Sequence, residues 1–398
     1  MQSLRIVPNL RSSVVEEMPP GQLVLFTSRI ADSDAALLEG NPAVRSFSWA
    51  ALVTAMRDPG LELMEVAEPL WLGEWVRAVR YIVLVKLLRR VLPGRGRVTV
   101  ATYAIDNLDA RARLAIRSLR SWPVPDAVAR RLATAVVGTS LLLLDVVVFG
   151  TSGACENYRR AFGPALRRTR YTVLPPRLDM CTVCGPGAGD GGPREPVMLF
   201  LGTPSERKGF DILTTAWQTA GAAERGWRLV VADPRGDAAP DLPAGVEIRT
   251  GLTRRTVHDL LRSGAAVVMP SVRLPGWREQ IGLPLVEGLA HGCRVVTTTE
   301  TGLAEDLREH PLVTLTTPGD PVDLARGLRR AMEQNTPEEV PRRPGYSKRD
   351  VVRWWLTGDD AFSDHGLVTT AGSAAMDGVD RSKTPEAATS PSTSAEAP

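Results

Sequence analysis

The chain has 398 residues, of which 43% are hydrophobic and 23% charged, so it can bury two cores, since a single core stops growing beyond roughly 250 to 300 residues. Its formal net charge is only +3, with basic and acidic residues mixed, which argues against nucleic acid as the main partner. The first residues lack the apolar run and cleavage site of a secretory signal, and four cysteines do not suggest a disulfide framework, so we expect a cytoplasmic protein.

Short apolar runs alternate with helical stretches along most of the chain. The clearest predicted strands are QLVLFTS (22–28), RVTVATY (97–103), DVVVFGTS (145–152), PVMLFLGT (196–203), WRLVVADP (227–234), AAVVMPS (265–271) and CRVVTTT (293–299). Strands separated by helices predict parallel sheets with both faces covered. We therefore expect an α/β protein.

A basic helix bearing tryptophans is predicted within WLGEWVRAVRYIVLVKLLRRVLPGRGR, residues 71–97. On a helical wheel Trp71 and Trp75 share a side with three cations, which are Lys86, Arg89 and Arg90. Tryptophans and basic residues on one face are typical of a helix that lies on an anionic membrane surface. The alternative is a core helix whose C-terminal cations complement its dipole.

The apolar run LATAVVGTSLLLLDVVVFGT, residues 132–151, is long enough to cross a bilayer, since about 20 residues suffice. Asp145 and the Gly138-Thr139-Ser140 interruption argue against a span. We expect instead a buried helix ending near Leu144, followed by a buried parallel strand from Val146 to Phe149.

The stretch PPRLDMCTVCGPGAGDGGPREP, residues 175–196, is too rich in Pro and Gly to continue a regular element, and it predicts a domain boundary. Its Cys181-x-x-Cys184 pair raises the question of a metal or redox site. A structural zinc site needs four ligands, and the other cysteines, Cys155 and Cys293, do not form a second pair. We therefore expect small thiols in a linker and no metal.

The stretch LFLGTPSERKGFDIL, residues 199–213, passes from an apolar strand through a polar turn into a helix. Gly202 permits a tight turn, and Arg207 and Lys208 lie at the junction of the loop and the helix, where cations can meet an anion near the strand ends. Two cations suit a diphosphate. The alternative is a solvated Lys-Gly pair at the start of a surface helix.

The stretch WREQIGLPLVEGLAHGCRVV, residues 277–296, places Glu279 before a predicted helix and Glu287 in its first turns. Backbone N–H groups near Gly282 and Leu283, followed by Pro284, form an anion site at the start of this helix. Carboxylates accept hydrogen bonds from vicinal hydroxyls, so two of them beside an anion site indicate a ribose and a sugar on either side of a diphosphate. The alternative is one capping and one surface glutamate.

These residues lie in a stretch that resembles a known family. PSVRLPGWREQIGLPLVEGLAHGCRVV (270–296) resembles the donor-site signature of retaining GT-B glycosyltransferases, in particular glycosyltransferase family 4, in which seven residues separate the two glutamates. GTPSERKGFDIL (202–213), VVADPRGD (230–237) and the spacing to TTTETGLAEDL (297–307) extend the resemblance from about Val197 to Gln334.

The resemblance implies two Rossmann-like domains with parallel sheets facing a central cleft, the GT-B fold, with the nucleotide sugar held mostly by the second domain. It implies that Glu279 contacts the donor sugar and Glu287 the ribose. Arg207 and Lys208 would hold the diphosphate beside Gly202, and Gly282 and Leu283 would offer backbone donors. No cofactor is implied beyond the donor substrate.

The sequence departs from the family's pattern in two places. Thr203 stands where many members carry an arginine, although Arg207-Lys208 resembles a variant form of the motif. Many relatives also use a histidine of the first domain near the transferred sugar, whereas all four histidines here lie in the second half of the chain. Residues near the expected position that could serve instead are Tyr103, Asp106 and Asn107. Turn and capping roles are the alternative for the last two.

The predicted organisation has five parts. They are an acceptor domain (1–175), a linker (176–196), a donor domain (197–335), an extension with a crossover helix (336–365) and a disordered tail rich in Ala, Ser, Thr and Pro (366–398). We expect a retaining hexosyltransferase-type enzyme that acts on a glycan or a lipid-linked acceptor at the inner face of the membrane. The alternatives are a non-catalytic subunit that binds a nucleotide sugar and, on the same fold, a sugar-nucleotide epimerase.

Overall fold

The computed structural model describes residues 2–30, 41–91, 96–110, 125–176, 181, 183–185, 194–236 and 242–334. Its strands are β1 (Gln2–Leu10), β2 (Gln22–Arg29), β3 (Val44–Ser46), β4 (Leu61–Val66), β5 (Thr99–Ala104), β6 (Val146–Phe149), β7 (Arg170–Val173), β8 (Glu195–Leu201), β9 (Arg228–Asp233), β10 (Val246–Thr250), β11 (Gly264–Met269), β12 (Arg294–Thr298) and β13 (Val313–Thr316). Its α-helices are α1 (Ser12–Glu16), α2 (Trp49–Arg57), α3 (Leu72–Val91), α4 (Asp126–Ser140), α5 (Ser152–Leu166), α6 (Phe210–Ala220), α7 (Arg254–Ser263), α8 (Leu283–Ala290) and α9 (Pro321–Glu333). Short 3₁₀ turns span Leu141–Leu143 and Glu206–Lys208.

The strands form two parallel sheets, as the alternation of strands and helices predicts. The first has seven strands in the order β3-β2-β1-β4-β5-β6-β7, and the second has six in the order β10-β9-β8-β11-β12-β13. Both orders reverse direction beside the first strand of their sheet, as in Rossmann domains, and ligands of such sheets bind at that reversal, outside the carboxyl ends of the strands. The predicted fold class is therefore confirmed.

Each of the seven runs predicted as strands overlaps a strand of the structure. Six further strands have weaker patterns and escaped prediction. They are β1, β3, β4, β7, β10 and β13. The strand β1 carries Pro8 and Asn9 near its end, residues that break the apolar run, yet it pairs with β2 and β4 in the middle of the first sheet.

Helix starts follow local capping chemistry. The side chains of Ser48, Thr151, Thr253 and Asp320 accept hydrogen bonds from backbone N–H groups in the first turn of α2, α5, α7 and α9. These side chains satisfy N–H groups that have no partner inside the helix. Together with the buried strands, they fix where each helix begins and therefore which loops reach the carboxyl ends of the sheets.

The apolar run of residues 132–151 is split into a helix and a strand, as predicted, but the prediction that the helix is buried is wrong, since Leu132 and Val136 are 53% and 67% exposed. The helix α4 ends at Ser140, a 3₁₀ turn follows to Leu143, and the strand β6 lies wholly buried in the first sheet. Among the described residues, no helix has the length and the apolar character needed to cross a membrane.

The helix α3 buries most of the side that the helical wheel assigned to a membrane, although Arg90 of that side is exposed. Trp75 is 3% exposed and donates its indole N–H to Ser140, while Arg89 is 8% exposed and donates to the carbonyl of Asp58. Lys86 donates to the carbonyl of Leu143 at 2.7 Å. Trp75, Lys86 and Arg89 therefore serve packing, and the prediction that this face meets a membrane is wrong.

The two sheets lie on either side of the predicted boundary, since β7 ends at Val173 and β8 begins at Glu195. Tyr103 near the end of β5 and Ile105 directly after it pack against apolar residues of the second sheet's core. The two halves therefore share an apolar contact as well as polar ones. The predicted extension (336–365) and tail (366–398) lie outside the described residues.

Candidate active site

The loop after β8 brings Lys208 back over the end of its own strand. Gly202 has a φ of 136° and Gly209 a φ of 67°, values that favour glycine. A Cβ atom at position 209 would lie 2.1 Å from the carbonyl oxygen of Pro270, so only glycine fits there. The ammonium of Lys208 ends 3.4 Å from where a Cβ atom of residue 202 would stand. The loop thus sets a cation at the reversal point between β8 and β11.

Lys208 and Glu279 meet in this cleft. The Nζ atom of Lys208 lies 3.8 Å from Oε2 of Glu279, and their side chains are 14% and 15% exposed. Ser271, which follows β11, points its hydroxyl at the same carboxylate at 3.4 Å. Burial lowers the pKa of Lys208, and the charge of Glu279 opposes that shift. An anion entering the cleft would meet a poorly hydrated cation, which strengthens their attraction.

Arg207 takes a different direction from Lys208. Its guanidinium lies over the ring of Trp277, 5.0 Å from the ring centroid, and its carbonyl accepts the N–H of Val272 at 3.1 Å. A cation over an indole face is held by the ring's quadrupole. The side chain of Arg207 therefore packs against the loop that carries Glu279, at the side of the cleft, whereas the side chain of Lys208 faces the Glu279 carboxylate.

The helix α8 opens on backbone rather than on a capping side chain. Gly282 is its N-cap with a φ of 80°, and because glycine has no side chain, no side-chain hydrogen bond caps the helix. Pro284 occupies the first turn. Such a start leaves backbone N–H groups and the positive end of the helix dipole for an anion. Gly302 supports the loop before α8, since a Cβ atom there would lie 1.5 Å from the carbonyl oxygen of Gln280.

Glu287 is held by a bridge that the sequence did not reveal. Its Oε1 accepts from Arg254 of α7 at 2.7 Å, and the same guanidinium binds both oxygens of Glu16 from α1 at 2.9 and 2.8 Å. Burial raises the pKa of Glu16, but hydrogen bonds from His258 and Arg254 outweigh it and lower that pKa to about 2. Both carboxylates thus share one cation, and the ribose contact of Glu287 stays a prediction.

The three residues predicted for the first domain lie in different settings. Tyr103 donates its hydroxyl to the carbonyl of Leu174 at 3.1 Å, and Asp106 accepts the N–H of Leu108 at 3.0 Å, which is a turn contact. Asn107 reaches the second domain, where its amide donates to the carbonyl of Glu279 at 2.8 Å. Asn107 thus makes a direct hydrogen bond to the donor motif.

A buried carboxyl pair beside these residues was missed from the sequence. Glu68 is 2% exposed and accepts the hydroxyl of Tyr158 at 2.9 Å and the N–H groups of Ile105 and Asp106 at 3.2 Å. Burial and the nearby Asp106 carboxyl raise the pKa of Glu68 to about 8. The sequence signal for this site would have been an acidic residue two positions after a strand, but the strand β4 was not predicted.

Glu68 makes the stability of the fold depend on pH. Because its folded pKa lies above the ordinary value of 4.5, the folded state binds more protons than the unfolded state between those two values, and stability falls as pH rises. We expect the wild type to lose up to about 1.4 kcal/mol per pH unit relative to Glu68→Gln in this window. Denaturant titrations of both proteins from pH 5 to pH 8 measure it. A pH-independent difference would contradict the raised pKa.

The Cys181–Cys184 pair is not isolated. The Sγ atom of Cys181 lies 3.5 Å from Nδ1 of His258, and that nitrogen lies 3.2 Å from Nε2 of His291. The remaining ligands are not a second cysteine pair but two histidines, one in α7 and one directly after α8. The prediction of thiols without further ligands is therefore wrong in its premise.

Comparisons with known proteins support the fold. Residues 195–334 match the family described as "Glycosyl transferases group 1", and no curated protein matches the chain. Anabaena Alr3699/HepE in complex with UDP is 16% identical, with a TM-score of 0.56 over 84% of this chain and 92% of that one. Its complex with UDP-glucose is 15% identical with a TM-score of 0.55, again over 84% and 92%. The chain therefore has the GT-B fold, and its second domain matches the glycosyl transferases group 1 family.

Proposed function

We propose that the protein is a retaining glycosyltransferase, of hexosyltransferase type, that moves a sugar from a nucleoside diphosphate donor to an acceptor. The observation that carries this proposal is the meeting of Lys208, Glu279 and the open start of α8 at the strand reversal of the second sheet. Lys208 and the backbone donors at the start of α8 match the diphosphate of a nucleotide sugar, and the carboxylate of Glu279 matches its sugar hydroxyls.

The proposed chemistry rests on charge. As the bond between the sugar and the diphosphate breaks, negative charge grows on the leaving diphosphate, and groups already aimed at that charge lower the barrier. In this proposal Lys208 and the N-terminus of α8 face the diphosphate, and Arg207, held over Trp277, flanks it. These groups supply the positive charge, so the proposal needs no bound cofactor. Glu279 would hold sugar hydroxyls, and no carboxylate is assigned as a covalent nucleophile.

A panel of donors tests the proposal. Since Alr3699/HepE was solved with UDP and with UDP-glucose, UDP-sugars are the first to test, followed by GDP- and ADP-sugars, each with and without membrane extract. We expect release of one nucleoside diphosphate, with transfer of the sugar to an acceptor. NMR of the product's anomeric proton distinguishes retention from inversion. Absence of both binding and turnover across the panel would overturn the proposal.

Replacing Glu287 tests the ribose contact. We expect Glu287→Gln to weaken donor binding by about 1.5 to 3 kcal/mol, because a charge-assisted hydrogen bond is lost. The amide keeps the size of the side chain. Titration calorimetry with the donor measures the change, and Glu305→Gln is the control because that glutamate pairs only locally with Arg308 at the surface. Unchanged affinity in a folded Glu287→Gln protein would exclude the ribose contact.

A second candidate is a subunit that binds a nucleotide sugar without transferring it. The observation that favours it concerns two residues proposed to assist catalysis from the first domain. Both make structural hydrogen bonds, Tyr103 to the carbonyl of Leu174 and Asn107 to the carbonyl of Glu279. The donor panel separates the two candidates. Tight donor binding without turnover, with every acceptor fraction, would favour the second.

The acceptor is proposed to be lipid-linked, at the inner face of the membrane, through the outer face of α3. Four apolar side chains there are 41% to 73% exposed, namely Val76, Val83, Leu87 and Val91. Arg80 and Arg90 are exposed on the same helix. Exposed apolar side chains interleaved with cations favour an anionic lipid surface.

Vesicle binding tests this face. We expect the wild type to sediment with anionic but not neutral vesicles, and salt to weaken the binding because charges are screened within about 10 Å at 0.1 M. Replacing Arg80 and Arg90 by Gln should cost about 2 kcal/mol, since each basic residue contributes roughly 1 kcal/mol. The control is Val322→Ser, which removes an exposed apolar residue from α9 in the other domain. Equal sedimentation with both vesicle types would remove the electrostatic part of the proposal.

A further inference from the structure

Four metal-ligating side chains meet where the segment between the domains lies against the second domain. They are Cys181, Cys184, His258 and His291, and their ligand atoms all lie within 4.8 Å of one another. Three of the four residues are buried and Cys184 is partly buried. None of the four residues is among those assigned to the sugar transfer.

Two distances within the cluster match those around one tetrahedral ion. Zinc binds sulfur at about 2.3 Å and nitrogen at about 2.0 to 2.1 Å, so a tetrahedron around it separates two nitrogens by about 3.3 Å and nitrogen from sulfur by about 3.6 Å. The two ring nitrogens that face each other are 3.2 Å apart, and Cys181 Sγ is 3.5 Å from the nearer one. Ordinary side-chain packing does not require three such atoms to share one centre.

The nitrogens that face away from the centre are also arranged as in metal sites. The Nδ1 atom of His291 lies 2.7 Å from the carbonyl oxygen of Glu287, and Nε2 of His258 lies 3.4 Å from a carboxylate oxygen of Glu16. Both ring N–H groups then have an acceptor, which fixes the tautomer that leaves Nδ1 of His258 and Nε2 of His291 as ligands. Carboxylate and carbonyl acceptors of this kind orient most metal-binding histidines.

The cysteine side of the cluster is prepared in the same way. The backbone N–H of Cys184 donates to the sulfur of Cys181 at 3.4 Å, a contact that stabilises a thiolate. The thiolate is the form that binds metal.

We propose that Cys181, Cys184, His258 and His291 bind a structural zinc ion, which fastens the segment between the two domains to helices α7 and α8. Two thiolates and two neutral imidazoles fill a tetrahedral shell, so the site has no open position for a substrate. On binding, each thiol releases its proton to solvent. This inference is independent of the proposed sugar transfer.

The ion would also fix the two helices that carry the bridge to Glu287. Arg254 and His258 are one turn apart in α7, and His291 lies one turn after Glu287. Side chains four positions apart in a helix share a face. Zinc would therefore hold α7 and α8 in the register in which Arg254 meets Glu287 at 2.7 Å.

Metal content is the first test. The full chain, purified under reducing conditions without added metal, should contain one zinc per molecule by elemental analysis. A strong chelator should remove it and lower the melting temperature. Cobalt added to the metal-free protein should then give the intense visible bands of a tetrahedral ion and a thiolate-to-cobalt charge-transfer band. Metal-free protein that binds neither zinc nor cobalt in this form would overturn the proposal.

Matched variants then locate the ion. Cys184→Ser and His258→Gln should lose most of the zinc and the thiolate band should weaken, whereas Cys155→Ala and His310→Gln, which alter a cysteine and a histidine elsewhere, should keep one zinc per molecule. Cys184→Ser is the milder change because Cys184 is only partly buried. Zinc retained in both ligand variants would overturn the assignment. The wild type purified under reducing conditions should contain no disulfide between Cys181 and Cys184. Detection of that disulfide by mass spectrometry would also overturn the assignment.

Discussion

Lys208→Ala is expected to lower the turnover number by about 10² to 10³-fold, the usual cost of removing one group that stabilises transition-state charge in an enclosed site. Its ammonium is 14% exposed and lies at the strand reversal, 3.8 Å from Glu279. Donor affinity should fall much less, because the charge on the diphosphate is larger when the glycosidic bond is breaking than in the bound donor. Steady-state kinetics and calorimetry with one donor measure both quantities.

Arg207→Ala should have the smaller effect of the two cations. Its guanidinium lies over Trp277 and so acts from the side of the cleft. Arg228→Ala is the control, since that arginine pairs with Glu195 and Glu247 at the surface of the second sheet. Equal losses of affinity and turnover in Lys208→Ala would show that Lys208 binds donor and transition state alike.

Arg254→Met should be the most destabilising single change outside the apolar cores. It leaves Glu16 and Glu287 without their shared cation. The side chains of Arg254, Glu16 and Glu287 are only 17%, 8% and 21% exposed, respectively. Removing one partner from a largely buried ion pair costs 3 to 5 kcal/mol, and we expect about 3 kcal/mol here because the site is partly solvated. Denaturant titration of the full chain measures this loss.

The same helix provides a matched control for Arg254. Arg262 of α7 pairs with Asp259 at 3.9 Å, but their side chains are 57% and 60% exposed, and such surface pairs contribute about 0 to 1 kcal/mol. Arg262→Met should therefore change stability little. A double variant with Glu16→Gln should lose less than the sum of the two single changes, since both act on one bridge. Similar losses in Arg254→Met and Arg262→Met would contradict the role of the bridge.

The second domain could be predicted because its signals are local. The strands β8, β9, β11 and β12 are continuous apolar runs, and the turn residues between them, such as Gly202 and Gly282, adopt the backbone conformations that their sequence context predicts. Spacing along the chain was enough to place Glu279 before α8 and Lys208 after β8. The meeting of these two side chains then follows from the topology of a parallel sheet.

The contacts that could not be predicted join residues far apart in sequence. Glu16 and Arg254 are 238 residues apart, and Cys181 and His258 are 77 residues apart, so no local pattern connects them. The prediction for helix α3 was wrong for another reason. A helical wheel treats Arg89 as a surface cation, but its long stem can be buried when backbone carbonyls accept its N–H groups, as that of Asp58 does here.

The hydrogen bond from Asn107 to the carbonyl of Glu279 gives the first domain a direct hold on the donor motif. Domains on either side of a cleft commonly move apart to admit a ligand and together to enclose it. Any such opening has to break this 2.8 Å bond and free the loop between β11 and α8. Opening would therefore leave the carbonyl of Glu279 without this donor, so the loop that carries the proposed sugar ligand is sensitive to the distance between the two domains.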